Sequence, residues 1–365
     1  MNTKASNLEE KKNNLISKIE NNYRLSFDDA LFIYNNFSLG LIGYLAAQKK
    51  EKLWGKSVFF NKNIHIELSN ICENNCVFCS FRREKGEQGA WEMSKEEAIN
   101  KIEEKIVEEI TEVHIVGSLH PKYNLEFYTD LFRTIKENWK NLHIKSFTAV
   151  EIEYIAELAG ISTKECIYEL KKAGMDSIPG GGAEIFDATI RQKICPDKTT
   201  SDNWLQIHKE IHEAGMSSNC TMLYGHIEKP EHRIEHLIRL RDLQDQTNGF
   251  NCFIPLKYKK QNNKLEVNKE LPAHEDLRMI ALSRLVLDNI PHIKAYWPML
   301  GKNIARLALH FGADDFDGTI NDSTKIYSMA GADEQNPDYS AEELKQALID
   351  EGFIPVERDS LYNLI

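Results

Sequence analysis

No apolar run near the start of the 365-residue chain could cross a bilayer: the longest, residues 41–47, falls far short of the roughly 20 residues that a spanning helix needs. After Met1-Asn2-Thr3-Lys4 the sequence turns polar and lacks the apolar region of a signal peptide. The expected location is therefore the cytoplasm, with no membrane partner. Positive charge is scarce. Forty-five Lys and Arg stand against 56 Asp and Glu, a net charge of −11, which argues against a phosphate backbone and so against a nucleic-acid partner. There is no internal repeat and no low-complexity tract. The glycines at 180–182 lack the Gly-x-Gly-x-x-Gly spacing of a dinucleotide site. Seven cysteines are an odd set that does not make a disulfide framework, and in a reducing compartment they suggest metal or catalysis. Apolar residues at 42% and charged residues at 28% exclude disorder, and the length allows a sizeable core.

The first ~55 residues carry helical apolar spacing, with Ser26-Phe27-Asp28-Asp29 resembling a capping box. Short strand-like runs follow at 64–68, 113–116, 143–148, 175–178, 218–223, 251–254 and 292–296, with a weak eighth at 313–316. Helical segments alternate with them, and Ser94 caps one. This alternation predicts βαβ units and a parallel sheet, and seven or eight units predict a TIM-type (β/α) barrel. The expected organisation is a helical segment over 1–57, a barrel core over 58–312 and a C-terminal extension over 313–365. The chemically suggestive residues follow the C-terminal ends of the strands, the rim where barrel active sites lie.

Cys72-Glu73-Asn74-Asn75-Cys76-Val77-Phe78-Cys79 places three thiols in eight residues. Three thiolates this close can hold three irons of a [4Fe–4S] cluster and leave the fourth open to a small molecule. The alternatives are a zinc site, which wants four ligands and usually paired spacings, and three unrelated cysteines. No second pair exists: Cys166, Cys195, Cys220 and Cys252 are isolated, each reading as a small buried hydrophobe.

The spacing Cys-x3-Cys-x2-Cys, with Phe78 before the last cysteine, resembles the radical S-adenosylmethionine (SAM) superfamily. Further segments, 70–82, 114–121 and 147–152, look like the menaquinone futalosine-pathway enzymes and the related deazaflavin (FO) synthases. Those at 178–185, 221–228 and 295–301 resemble the aminofutalosine synthases in particular. The resemblance implies Cys72, Cys76 and Cys79 as cluster ligands and SAM as co-substrate. It implies Phe78, Gly117, Ser118 and Glu184 as SAM-binding positions, Glu184 on the ribose hydroxyls. The substrate it implies is 3-[(1-carboxyvinyl)oxy]benzoate: the adenosyl radical adds to its double bond, and rearrangement and decarboxylation give aminofutalosine. An electron donor such as flavodoxin or ferredoxin would serve it. Ser118 stands where the family pattern Gly-Gly-Leu-His-Pro has its second glycine, and Asp322-Ser323-Thr324 only partly supplies an expected acidic pair. Cyclic dehypoxanthinyl futalosine synthase, FO synthase and a plain iron–sulfur electron carrier are the rival readings.

Two carboxylates on that substrate direct attention to arginine, with its bidentate geometry. Arg82, Arg191 and Arg306, with Lys193, are the candidates. Thr148, His226, Tyr296 and Trp297 complete the set, His226 as a hydrogen-bond or acid/base group and the two aromatics as walls for the ring. Each also has an ordinary reading as a surface ion pair, a structural histidine or core packing. The charged run 103–109 reads as a solvated helix face.

Overall fold

The computed structural model describes residues 2–106, 109–319, 325–333, 335 and 337–365, with side chains from residue 6 onward. The expected alternation is present. Ten strands are named here: β1 Ser57–Asn61, β2 Asn63–Glu67, β3 Glu112–Val116, β4 His143–Ser146, β5 Ser177–Ile178, β6 Ser217–Tyr224, β7 Phe250–Lys257, β8 His292–Ile293, β9 Asp315–Gly318 and β10 Ile354–Glu357. Strands β2 to β8 form a seven-stranded sheet, parallel and in chain order, with helices between successive strands. Because β1 runs into β2 through Lys62, a second parallel sheet, β10-β1-β9, continues the wall. β9 meets β8 through a Lys294–Asp315 bridge and the bond from Ala295 N to Asp315 O at 2.8 Å. It thus takes the place of the eighth stave, and the fold is the TIM-type barrel expected.

Local chemistry accounts for the helix starts. The Ser26 box forms with Asp29, and Ser94 accepts from Glu97 N while Glu97 Oε2 accepts from Ser94 N. Strands β1 and β10 and the helices Ala149–Ala159 and Ala188–Ile194 were not foreseen. β10 is a half-exposed edge strand with little apolar pattern. Thr148, read as a strand end, is instead the N-cap of Ala149–Ala159, reciprocally boxed with Glu151. Among the described residues no helix is long and apolar enough to cross a membrane.

The barrel's N-terminal end is closed by buried charge. Arg284 pairs with Asp314, whose other oxygen lies 2.5 Å from His292 Nδ1. From the tail, Arg358 reaches Asp315 Oδ2 at 2.5 Å and Tyr362 donates to the same oxygen at 2.7 Å. Burial works against the charge on Asp315, but Arg358 and Lys294 outweigh it and hold the carboxyl below its ordinary range. Asp314 and Asp315 are therefore floor supports. Asp322-Ser323-Thr324 lies outside the described residues.

Candidate active site

The loop that follows β2 carries the three cysteines, and side chains fix its course. Ser69 Oγ accepts from Ile71 N at 3.0 Å and donates to Trp91 O at 2.8 Å. Asn70 bridges Gly89 O and Trp91 N, both at 2.9 Å. Ser118, in place of the family glycine, is buried and donates from Oγ to Ile71 O at 2.7 Å, so the substitution adds a tie to the cysteine loop. Backbone N–H groups approach two sulfurs: Leu119 N lies 3.5 Å from Cys72 Sγ and Arg82 N 3.4 Å from Cys79 Sγ.

Cys72, Cys76 and Cys79 line one cavity of about 570 Å³ with Gly117, Ser118 and Arg82. Burial pushes the Cys76 thiol up to about 12 and raises Cys72 as well. Such thiols become thiolates when a metal supplies the opposing charge. Among the described residues no three His, Cys, Asp or Glu side chains converge as they would on a single metal ion. Three sulfurs spread around a cavity, with N–H groups aimed at two of them, suit a multi-iron cluster better than one zinc ion.

Glu184 follows the Gly180–Gly182 turn. A Cβ at Gly180 would lie 2.0 Å from Asn219 O, so only glycine permits that approach to β6. Glu184 itself is held at φ +49°, with Leu223 N donating to its carbonyl at 2.7 Å. Its carboxylate accepts from Lys198 Nζ at 2.5 Å. Burial opposes the charge on Lys198, but Glu184 and Cys76 outweigh it and hold the ammonium above its ordinary value. Lys198 also lies over the Phe78 ring at 5.4 Å, linking the cysteine loop to the Glu184 loop. Gly117 N donates to Glu151 Oε1 at 3.1 Å, and Thr148, which caps that helix, lines the same space.

A second cavity of about 1180 Å³ shares Phe78, Cys79, Gly117, Thr148 and Lys198 with the first and descends into the barrel. Tyr296 lines it, edge-on to Tyr327 with centroids 5.2 Å apart. Trp297 is core, donating Nε1–H to Gly318 O at 3.0 Å. Four other candidates line neither cavity. Arg191 is buried and spends its guanidinium on the carbonyls of Ala183, Ile185 and Thr199, bracing the Glu184 loop. His226 lies 3.1 Å from both Glu228 Oε2 and Leu223 O, inside its own turn. Arg306 pairs with Glu351 at 2.7 Å, and Lys193 is exposed. Arg82 lines the cluster cavity and donates Nε–H to Asn74 O at 2.8 Å.

The cations that line the deep cavity among the described residues are Lys145, Lys198 and Lys294 rather than arginines. Sequence reading passed over them, and with them His65, His114, Glu112 and Asp317. A signal existed. Asn63-Ile64-His65-Ile66-Glu67 and Glu112-Val113-His114-Ile115 alternate polar with apolar. In a strand covered by helices on the outside, that alternation turns the polar side chains into the barrel.

Residues 66–241 match the family model for the radical SAM superfamily, and 247–365 match the CofH/MqnC C-terminal region. An aminodeoxyfutalosine synthase of Thermus thermophilus is 40% identical over 95% of this chain and 94% of its own. A 5-amino-6-(D-ribitylamino)uracil–L-tyrosine 4-hydroxyphenyl transferase of Methanopyrus kandleri is 36% identical over 87% of each. Among solved structures, a methylornithine synthase shares the fold, with TM-score 0.74 and 18% identity over 93% of this chain and 97% of its own. The chain belongs to the radical SAM superfamily and is an enzyme that uses a [4Fe–4S] cluster and S-adenosylmethionine.

Proposed function

We propose that this enzyme is an aminodeoxyfutalosine synthase of menaquinone biosynthesis, joining the adenosyl carbon of SAM to 3-[(1-carboxyvinyl)oxy]benzoate with decarboxylation. What supports this reading above all is the 40% identity along 95% of the chain. In this reading Cys72, Cys76 and Cys79 hold the cluster, which supplies the electron that cleaves SAM. Gly117 and Ser118 border the methionine end and Phe78 its neighbour; Glu184, steadied by Lys198, accepts from the ribose hydroxyls. Tyr296 and Tyr327 wall the deep cavity in which the aromatic substrate lies, and Thr148 borders the junction between the two spaces. The two linked cavities keep water from the reacting carbon and hold donor and acceptor in one orientation, which such an addition requires. A cytoplasmic flavodoxin or ferredoxin would deliver the electron.

The test is anaerobic reconstitution with iron and sulfide, followed by product analysis with each candidate substrate. Aminodeoxyfutalosine from the enolpyruvyl benzoate is the expected result. Conversion of tyrosine with a diaminouracil, or of a dehypoxanthinylated futalosine, would instead assign it to the sister activities. No cleavage of SAM at all would leave an electron carrier.

A further inference from the structure

His65, His114 and Lys145 stand side by side on β2, β3 and β4, paired in register as His65 with His114 and His114 with Lys145. All three line the deep cavity. His114 Nδ1 lies 3.2 Å from His65 Nε2, while His114 Nε2 is buried and has no hydrogen-bond partner among the described residues. Lys145 gives one ammonium N–H to Glu112 Oε2 at 2.5 Å and can turn the others to the cavity. Ser360 from the tail donates to the same Glu112 oxygen at 2.5 Å, so the carboxylate that anchors Lys145 is itself fixed.

We propose that His114 Nε2 and Lys145 Nζ together hold a carboxylate, namely the ring carboxylate of the enolpyruvyl benzoate, with His65 as the positioning residue that sets the His114 tautomer. The inference rests on the activity proposed above. Position along the barrel supports the choice of carboxylate. The carbon that is attacked must lie beside the SAM end, bordered by Gly117 and Glu184. His114 is three residues earlier on the same strand than Gly117, about 10 Å deeper at the usual rise. A group held there is the remote end of the substrate, across the ring from the reacting double bond. A planar carboxylate accepts two hydrogen bonds side by side, and neighbouring residues on adjacent strands supply two donors at such spacing.

The surrounding charges are in balance. Lys145 faces Glu112, and Lys294 pairs with Asp315 and Asp317, so each of these carboxylates faces a cation. Burial holds both imidazoles below their ordinary value, His65 at about 4. With both rings neutral, the tautomer pair in which His65 Nε2–H donates to His114 Nδ1 leaves the single hydrogen of the His114 ring on Nε2, toward the ligand.

The experiment compares two ligands on the reconstituted, SAM-loaded and unreduced enzyme, in which binding occurs without turnover. One is 3-[(1-carboxyvinyl)oxy]benzoate, the other the enolpyruvyl ether of phenol, which lacks the ring carboxylate. The parent enzyme is expected to prefer the benzoate by about tenfold to a hundredfold in Kd, the range of one or two charge-assisted hydrogen bonds. In His114→Phe the preference should fall to within about threefold, and Lys145→Met should reduce it likewise. A merely structural role would weaken both ligands equally and leave the ratio intact, which would overturn the inference. Should the Phe variant lose its cluster absorbance, His114→Asn keeps a polar atom toward His65 but cannot reach the ligand, and an unchanged ratio there is equally fatal. A parental ratio near one overturns the proposal by itself. If the parent neither binds nor converts the benzoate, the proposed activity has failed and takes this inference with it. If it converts the benzoate and the ratio survives substitution, the activity stands and only the role of His114 and Lys145 falls.

Discussion

The two ends of the barrel are built on opposite terms. At the C-terminal rim the three thiols sit on one loop, close together in sequence, with backbone N–H groups approaching two of them and the Lys198 charge acting on Cys76. At the N-terminal floor buried charges from a helix, the β9 end and the tail neutralise one another: Arg284 pairs with Asp314 and Arg358 with Asp315. The rim presents free thiols; the floor is a closed charge network on which the barrel depends. Substitutions at the rim should therefore remove chemistry and leave the fold, and substitutions at the floor should do the reverse.

The largest effect belongs to the cysteines. Cys76→Ala should abolish the cluster's visible absorbance and all turnover, while the apoprotein's melting temperature changes little. Full activity in that variant would contradict the assignment of the rim. Next comes Glu184→Gln, which weakens both the ribose acceptor and the Lys198 pair. Product should fall at least tenfold while uncoupled 5′-deoxyadenosine rises, because a misplaced radical is quenched before it meets the double bond. Quantifying both by chromatography checks this.

The floor supplies the reverse case. Arg358→Met leaves Asp315 buried with Lys294 as its remaining cation, and removing one partner of a buried pair typically costs about 3–5 kcal/mol. The melting temperature should drop by several degrees with iron content per folded protein unchanged. If the variant melts like the parent, the network is not what closes the barrel.

A smaller effect is set by pH. Burial holds His143 and His212 at about 4 and His236 at about 3, below the 6.5 of an exposed imidazole. Below pH 6.5 the unfolded chain takes up protons that the folded one refuses. Stability from these groups is complete above 6.5 and declines as pH falls toward 4, by about 1.4 kcal/mol per histidine per pH unit. Melting curves of the apoprotein from pH 7.5 to 5 should show a plateau and then a decline, and a rising curve would contradict the sign. The smallest effect is expected at Cys166, Cys195, Cys220 and Cys252, all buried. Their Ser variants should keep their iron and lose about 1–3 kcal/mol from a buried hydroxyl. Loss of the cluster in any one would mean a fourth thiolate.

The contrast between the two ends also explains what could be read in advance. The rim was legible because its signal is local: eight residues hold three thiols, and three glycines precede Glu184. The staves were legible because helices separate them. The floor was not, since its pairs join residues far apart, as Arg358 and Asp315 do across 43 positions. Residue type alone points to arginine for a carboxylate, yet Arg191 braces a loop and Arg306 makes an outer helix contact, while Arg82 lines the cluster cavity. Lys198 had no motif of its own and is recognisable only once the turn of helix Ala188–Ile194 brings it beside Glu184.

In the proposed reaction the adenosyl carbon is incorporated rather than released, and label in SAM distinguishes the two directly. The reconstituted enzyme is reduced in the presence of SAM carrying carbon label in its adenosyl group and of 3-[(1-carboxyvinyl)oxy]benzoate, and label is counted in aminodeoxyfutalosine and in free 5′-deoxyadenosine. The proposed activity puts label in the product at one equivalent per turnover, with free 5′-deoxyadenosine a minor leak. Stoichiometric labelled 5′-deoxyadenosine alongside unlabelled product would contradict it and move the enzyme to the hydrogen-abstracting relatives.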